Sequence, residues 1–158
     1  NLLDLGTGAG RILRTIAPFV VKGTGIDNSL EMLSIARARL DQDGIKNCQV
    51  RVGDMYRLPF KQNSFDLITI NSLLRYAEEP KKVIAEAARV LEKKGALLIV
   101  DLAAHDLSAL RDEYGHSWLG FSEAEMLEML SEESLTVARV KHIDGQKLNV
   151  CIWLASGS

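Results

Sequence analysis

Short apolar segments alternate with segments of helical periodicity along the first two thirds of this 158-residue chain. Strands that are joined by helices in this way form parallel sheets, so the alternation indicates an α/β fold built from βαβ units. The first predicted strand ends at about Leu5, and the next four span residues 23–27, 48–52, 65–71 and 96–102.

Local signals set the expected ends of two helices. Asn28 followed by Glu31 predicts a capping box at the start of one helix. Pro80 suits the first position of another helix, because that position needs no N–H donor. Residues 93–95, Lys-Lys-Gly, predict the end of the helix that Pro80 begins.

The last third of the chain has a different pattern. Ser122 and Glu125 form a second capping-box signal. Residues 136–143 and 147–154 flank Asp144-Gly145, which predicts a β-hairpin whose loop extends little beyond this dipeptide. We therefore expect a Rossmann-like three-layer sandwich, with a mostly parallel seven-stranded sheet and a C-terminal antiparallel hairpin.

Length, charge and composition limit the class of protein. The length suits one domain over residues 1–158. A formal charge of −2 gives no basic surface, so this domain itself is not expected to bind nucleic acid. No apolar run approaches the ~18 residues of a membrane span. Cys48 and Cys151 are expected to be reduced thiols of a cytoplasmic protein, whose oligomeric state the sequence leaves open. The sequence starts at Asn1, inside a predicted strand and without methionine, so we expect that an N-terminal region is missing.

A glycine-rich turn, residues 6–10, joins the first predicted strand to a helix. Such a turn lets a ligand approach bare backbone at a helix N-terminus. The third glycine comes one residue earlier than in the dinucleotide fingerprint G-x-G-x-x-G, which would require glycine where this chain has Arg11. The candidate binding residues here are Asp4, Gly6, Thr7, Gly8 and Gly10.

An acidic residue ends the second predicted strand. Asp27 lies 21 residues after Gly6, where a carboxylate can accept hydrogen bonds from both ribose hydroxyls of an adenosyl group. This residue indicates an adenosine ligand without deciding between a nicotinamide dinucleotide and another adenosyl compound.

Four motifs occur in order, DLGTGxG, GIDxSxxML, GDxxxLPF and SFDL, over residues 1–102. With these motifs the chain resembles the class I S-adenosylmethionine-dependent methyltransferases. The resemblance implies S-adenosylmethionine as cofactor, with S-adenosylhomocysteine as its product. It implies that Asp54 accepts from the adenine amine and that Met55 and Met32 pack beside the ring. It adds Asn28 to the candidate cofactor residues, and Asn71 joins them because it ends the fourth strand at the binding edge of the sheet.

The acceptor cleft is expected between residues 76 and 121. Methyltransferases of this family often have a histidine pair after the fourth strand, where this chain has Leu74-Arg75-Tyr76. We select Tyr76, His105 and His116 as candidates for the cleft and name no catalytic residue. The acidic and histidine residues of 105–116 lack the spacing of a compact zinc motif, so no metal is expected. The segment also resembles a bacterial subfamily in which the domain follows an ArsR-type winged-helix regulator, which implies DNA binding through the missing N-terminal region.

Three functions are consistent with these patterns. The first is methyl transfer to an unidentified small-molecule acceptor, and the second is a non-catalytic module that senses S-adenosylmethionine or S-adenosylhomocysteine for a winged-helix regulator. The third, a nucleotide-dependent oxidoreductase, is disfavoured by the glycine spacing and by Gly53-Asp54. We expect the methyltransferase. Methyl transfer depends mainly on proximity and needs a base only when the nucleophile arrives protonated.

Overall fold

Seven strands form one sheet at the centre of the molecule. The computed structural model describes residues 1–157, and the strand order across the sheet is β3-β2-β1-β4-β5-β7-β6. The strands are β1 (Leu2–Leu5), β2 (Gly23–Asp27), β3 (Cys48–Val52), β4 (Phe65–Asn71), β5 (Leu91–Leu102), β6 (Leu135–Ile143) and β7 (Val150–Gly157).

The first five strands run parallel, and β7 is antiparallel to both of its neighbours, β5 and β6. In the middle of the sheet, Leu3 of β1 pairs with Thr24 of β2 and Ile68 of β4. The predicted fold class, a mostly parallel seven-stranded sheet with a C-terminal antiparallel hairpin, is therefore confirmed. The order of the strands reverses at β1 and β4, and ligands of open α/β sheets bind at the carboxyl ends of the strands at such a switch point.

Four of the five α-helices, the first three and the last, pack on the two faces of the sheet, which gives the three predicted layers, whereas the fourth buries no residue. Leu13 and Leu33, from the first two helices, pack with Leu2 in a smaller core on one face. Ile84 and Trp153 belong to the larger core on the other face. The helices are α1 (Arg11–Ile16), α2 (Leu30–Gln42), α3 (Pro80–Val90), α4 (Ala109–Tyr114) and α5 (Glu123–Glu132), and 3-10 turns occupy Ala17–Phe19 and Leu74–Tyr76. No helix among the described residues is both long and apolar enough to span a membrane.

The predicted helix ends are partly right. Pro80 begins α3 as expected, and Ser122 and Glu125 form the predicted capping box at the start of α5. The capping box at Asn28 is wrong, because Ser29 is the residue whose side chain accepts from the Met32 N–H, at 3.2 Å. The cause is local: the Ser29 N–H donates to the Asp27 carboxylate and so fixes the backbone one residue later.

The predicted end of α3 at residues 93–95 is also wrong. The helix ends at Val90, and β5 begins at Leu91, whose backbone pairs with Phe65 of β4. Lys94, rather than Gly95, has the left-handed backbone, with φ of 64°. Pairing with β4 thus ends the helix before residues 93–95, and these residues belong to β5 instead.

The C-terminal hairpin is present, but its loop is longer than predicted. β6 ends at Ile143, as expected, whereas β7 starts at Val150 rather than at residue 147. The Gly145 N–H donates to Asn149 Oδ1 at 3.2 Å, and this bond across the loop stabilises the wider turn.

Candidate active site

A cavity of about 620 Å³ lies at the carboxyl ends of β1, β2 and β3, beside the switch point of the sheet. Its wall is mainly apolar and carries two carboxylates. This size and character match sites for small molecules and cofactors, which place a few polar groups in an otherwise apolar cleft. The lining residues are Leu5, Gly6, Ile26, Asp27, Asn28, Val52, Gly53, Asp54, Met55, Tyr56, Leu73 and Tyr76.

The glycine-rich turn supplies bare backbone to this cavity. Gly6, Gly8 and Gly10 all have positive φ, at 69°, 52° and 76°. A Cβ at Gly6 would lie 2.9 Å from the Leu73 side chain, and both this approach and the positive φ favour glycine here. The Gly6 and Thr7 N–H groups both donate to the carbonyl of Ile26, which ties the turn to β2.

Asp4 lies beneath the turn rather than in the cavity wall. Its carboxylate is buried, at 1% exposure, and accepts hydrogen bonds from the hydroxyls of Thr7 and Thr69, both at 2.7 Å. Burial raises the pKa of the Asp4 carboxyl, against the two hydroxyl hydrogen bonds that lower it. The hydrogen bond between Thr7 and the buried Asp4 therefore stabilises the turn.

Asp27 connects the turn to α2. One carboxylate oxygen accepts from the Gly8 N–H at 2.8 Å, and the other accepts from the Ser29 N–H at 2.9 Å. Each carboxylate oxygen can accept a further hydrogen bond, and Asp27 lines the cavity. The side chain is thus oriented by backbone donors while it keeps acceptor capacity toward a ligand.

The third side of the cavity follows β3. Asp54 accepts from the Tyr56 N–H at 2.9 Å, and Met55 lines the cavity beside it. A Cβ at Gly53 would lie 3.0 Å from Ile26 Cγ2, so glycine keeps the backbone close to the apolar wall.

The structure brings five of the eleven candidate cofactor residues to the wall of one cavity, and the other six lie outside it. Gly8 and Gly10 complete the turn, and Met32, which is 37% exposed, faces Gly8, where a Cβ would lie 3.6 Å from its methyl carbon. Asn71 is half-buried at the end of β4. The five in the wall are Gly6, Asp27, Asn28, Asp54 and Met55, and Asp4, Thr7, Gly8, Gly10, Met32 and Asn71 lie outside it.

The three candidates for the acceptor cleft lie in different environments. Tyr76 lines the cavity, and its ring meets that of His116 edge-on, with centroids 5.0 Å apart. His116 is only 8% exposed. Its pKa is lowered by burial and by the positive charge of Arg75, while Asp101 opposes this effect. His105 is half-buried, and its Nδ1 accepts from the Leu107 N–H at 3.2 Å.

Sequence reasoning missed an ion pair beside these residues. Arg75 Nη1 donates to Asp101 Oδ1 at 2.9 Å, and the Asp101 side chain is fully buried. Asp101 comes near the end of β5, as Asn71 ends β4. This position at the binding edge of the sheet could have identified Asp101 as a candidate site residue. The apolar cavity residues Ile26, Val52 and Leu73 were also missed, because an apolar residue at a strand end has no distinctive signal. Among residues 1–157, no three His, Cys, Asp or Glu side chains come together to hold a metal ion.

The cavity suits an adenosyl ligand. The bare turn at Gly6, the free acceptor capacity of Asp27 and the apolar wall at Ile26 and Val52 meet in one space. Of the residues present, Asp27 would hold the ribose hydroxyls, and Asp54 and Met55 would lie at the adenine end.

Comparison with known proteins identifies the same kind of domain. A family model described as "Methyltransferase domain" matches residues 1–151. YcgJ, an uncharacterized methyltransferase of Bacillus subtilis, is 32% identical over 116 residues, which cover 73% of this chain and 46% of that protein. The demethylmenaquinone methyltransferase of Thermotoga maritima is 41% identical over 105 residues, which cover 65% of this chain and 43% of that protein.

A solved structure extends the match to the whole fold. The S-adenosylmethionine-dependent methyltransferase of Aquifex aeolicus superimposes with a TM-score of 0.82 and 27% identity, over 99% of this chain and 81% of that one. The present chain spans about half the length of the two curated relatives, 46% and 43%. The chain belongs to the methyltransferase domain family, and its fold is that of the class I S-adenosylmethionine-dependent enzymes.

Proposed function

We propose that the protein containing this chain transfers a methyl group from S-adenosylmethionine to a small-molecule acceptor. The observation that carries the proposal is the cavity in which the bare Gly6 turn and the Asp27 carboxylate face one apolar space. The relatives support the class of substrate, since one of them is named for methylation of demethylmenaquinone, a small molecule.

The residues of the chain divide the work of binding. Asp27 is held by two backbone donors, so it presents its remaining acceptor capacity to the ribose hydroxyls in a fixed orientation. Ile26, Val52 and Met55 form the apolar wall for the adenine ring. When bound, S-adenosylmethionine supplies a methyl group that its sulfonium activates for direct displacement. The protein's remaining task is to hold the acceptor close to that methyl group and exclude water.

Calorimetric titration of the full-length protein with S-adenosylmethionine, S-adenosylhomocysteine and NAD tests the cofactor. We expect the first two to bind and NAD to fail. Asp27→Ala should weaken binding by about 1.5–3 kcal/mol, or about 10- to 150-fold, the scale of hydrogen bonds to a charged group. Asp41→Ala, on the exposed side of α2, is the matched control and should bind normally. A preference for NAD would contradict the proposal.

Transfer itself needs a second measurement, because a sensing module would bind the cofactor equally well. The full-length protein is incubated with methyl-labelled S-adenosylmethionine and the small-molecule fraction of a cell extract. We expect label in a small molecule. Normal cofactor binding without transfer of label would favour the sensing alternative, and label in nucleic acid or protein would contradict the predicted class of acceptor.

We also propose a cytoplasmic location and no contact with nucleic acid through this domain. The free thiols of Cys48 and Cys151, on the separate strands β3 and β7, support a reducing compartment. The formal charge of −2 supports the absence of a nucleic-acid surface. The winged-helix regulator and its DNA contact stay predictions.

A further inference from the structure

One wall of the cofactor cavity is formed by a stretch of chain that lies outside the helices and named strands. We call residues 53–60 the cavity segment. Gly53, Asp54, Met55 and Tyr56, its first four residues, line the cavity. The segment follows β3 and precedes β4 without joining either strand. Because no strand or helix ladder fixes its backbone, its position depends on the groups that hold it.

The first half of the cavity segment is a tight turn. The Arg57 N–H donates to the Asp54 carbonyl at 3.1 Å, which closes a β-turn over residues 54–57. The Asp54 carboxylate accepts from the Tyr56 N–H at 2.9 Å, so its side chain is fixed to the same turn. Leu58 comes directly after the turn. Any shift of the backbone at Leu58 is therefore transmitted to the carboxylate of Asp54.

The second half of the cavity segment is bound by two side chains of α3. The Leu58 N–H donates to Glu86 Oε2 at 2.8 Å. Arg89 donates to the Leu58 carbonyl at 3.2 Å and to the Phe60 carbonyl at 2.9 Å. The Leu58 side chain is buried in the larger core. Three hydrogen bonds from one helix thus hold the backbone that follows the turn.

Glu86 and Arg89 also fix each other. Arg89 Nε donates to Glu86 Oε1 at 2.7 Å, and Arg89 Nη2 donates to Oε2 at 2.9 Å. A guanidinium that meets a carboxylate through two parallel bonds has a defined orientation. The hydrogen bonds from Arg89 lower the pKa of the Glu86 carboxyl, which keeps it ionised as an acceptor for the Leu58 N–H.

The other ion pair within α3 provides a contrast. Glu79 and Lys82 have the same spacing in the sequence, but their side chains are 57% and 64% exposed and bond to each other. An exposed pair of this kind stabilises its own helix only slightly. The Glu86 side chain is 19% exposed, and its pair with Arg89 reaches three backbone groups of another segment. The contacts with the cavity segment therefore distinguish this pair.

We propose that Glu86 and Arg89 are positioning residues for the adenine ring of S-adenosylmethionine. The inference rests on the proposed function, which assigns Asp54 and Met55 to the adenine end of the cavity. Neither Glu86 nor Arg89 lines the cavity, so both act through the cavity segment. They hold the turn where the Asp54 carboxylate accepts a hydrogen bond from the adenine amine. Without them the acceptor moves away from the amine, and the site loses its selectivity for that group.

Selectivity for the amine is measured with two ligands. One is S-adenosylhomocysteine, and the other is its deamino analogue, in which a hydrogen replaces the adenine amine. Calorimetric titration of the full-length protein gives the ratio of their affinities. The unchanged protein should bind S-adenosylhomocysteine about 10- to 150-fold more tightly, the scale of a hydrogen bond to a charged group. Equal affinities in the unchanged protein would overturn the proposal, because no bond to the amine would then depend on position.

Glu86→Ala removes the acceptor for the Leu58 N–H and should bring the ratio close to one. S-adenosylhomocysteine loses affinity, whereas the deamino analogue has no amine to lose contact with. Glu86→Gln keeps an oxygen that accepts from Leu58 and should give an intermediate ratio. Glu79→Ala, in the exposed pair of the same helix, is the matched control and should keep the ratio of the unchanged protein.

The ratio separates a positioning role from a merely structural one. A residue that only stabilises the fold changes the affinity of both ligands alike, so an unchanged ratio in Glu86→Ala, with the fold intact by circular dichroism, would overturn the proposal. If Glu86→Ala does not fold, Arg89→Lys makes the same test, because an ammonium group keeps the charge without the fork that reaches both carbonyls. Failure of the unchanged protein to bind S-adenosylhomocysteine would instead contradict the proposed function.

Discussion

Two regions at the binding edge of the sheet differ in how their buried polar groups are hydrogen-bonded. Around the glycine turn, Asp4 accepts from Thr7 and Thr69, and Asp27 accepts from two backbone N–H groups. Around His116, three buried nitrogens have no partner in the described chain. The first region is organised by the protein alone and presents spare acceptor capacity. The second leaves three buried nitrogens unpartnered within the described chain, so the two regions differ in how completely the protein satisfies its own polar groups.

The largest effect should come from breaking the ion pair of the second region. Arg75→Ala leaves the fully buried Asp101 carboxylate without its cation, and we expect a loss of about 3–5 kcal/mol in unfolding free energy. Urea denaturation measures this loss.

The control for this variant replaces both partners. Arg75→Met with Asp101→Leu removes the charges together, so it should recover most of the lost stability. Equal stability of Arg75→Ala and the parent protein would show that the pair is not a buried one.

A substitution in the glycine turn should have a smaller effect on the free energy of unfolding. Gly6→Ala places a Cβ 2.9 Å from Leu73 at a φ of 69°, so we expect a loss of about 1–3 kcal/mol in unfolding free energy and weaker binding of S-adenosylmethionine. Gly44→Ala is the matched control, because Gly44 has a φ of 68° with no atom within 4 Å of the added Cβ.

The difference in unfolding free energy between these two glycine variants measures the effect of the close approach between residue 6 and Leu73. Gly44→Ala should lose stability from backbone strain alone and keep normal cofactor affinity. If it weakens the cofactor as much as Gly6→Ala does, the turn has no special role.

Asp4 gives the first region a pH dependence of known sign. Burial raises the pKa of its carboxyl, so the folded protein binds this proton more tightly than the unfolded chain does. The contribution of Asp4 to stability is therefore greatest below the ordinary aspartate pKa of about 3.9, and is lost as pH rises through the folded pKa. The slope is at most about 1.4 kcal/mol per pH unit.

Asp4→Asn replaces the titratable carboxyl with a neutral amide, so this variant is the reference for measuring how Asp4 affects stability. Chemical denaturation of both proteins from pH 4 to 7 should show the stability of the parent, relative to Asp4→Asn, falling as pH rises. A constant difference over this range would mean that the Asp4 carboxyl titrates alike in the folded and unfolded states.

The smallest expected effect on stability is that of Trp118→Phe, which also tests whether the two regions act separately. Trp118→Phe removes the hydrogen bond from the indole to the Ala77 carbonyl, which should cost about 0.5–1.5 kcal/mol in unfolding free energy. We expect unchanged binding of S-adenosylhomocysteine by calorimetry. A loss of S-adenosylhomocysteine affinity as well would show that the two regions are coupled.

The first region could be predicted from the sequence, and the second only in part. The glycine turn, Asp27 and Asp54 lie within short motifs, and the positions of strands and helices follow from local periodicity. The pairing of Arg75 with Asp101 joins residues 26 apart, from a 3-10 turn and from β5, so no local pattern contains it. Tyr76 and His116 were selected individually, but their contact depends on the fold of residues 103–121.

Errors in the predicted elements have the same origin. Lys93, Lys94 and Gly95 are good helix-ending residues, yet the β4 ladder takes the chain from Leu91 onward. The hairpin signal at Asp144-Gly145 is real, but the side chain of Asn149 closes a wider loop. In both places a tertiary or medium-range contact overrides a local preference.

The position of β7 affects how the sheet can assemble. β7 follows β6 in the chain, yet it lies between β5 and β6, with Leu97 of β5 opposite Ala155 and Val140 of β6 opposite the buried Trp153. During synthesis β6 has no strand to pair with until β7 has left the ribosome, and the apolar edge of β5 is exposed for the same interval. Such late, non-local pairing slows folding and leaves an edge open to association with other chains. The order of the last two strands therefore leaves β5 with an unpaired edge during synthesis, at which nascent chains can associate.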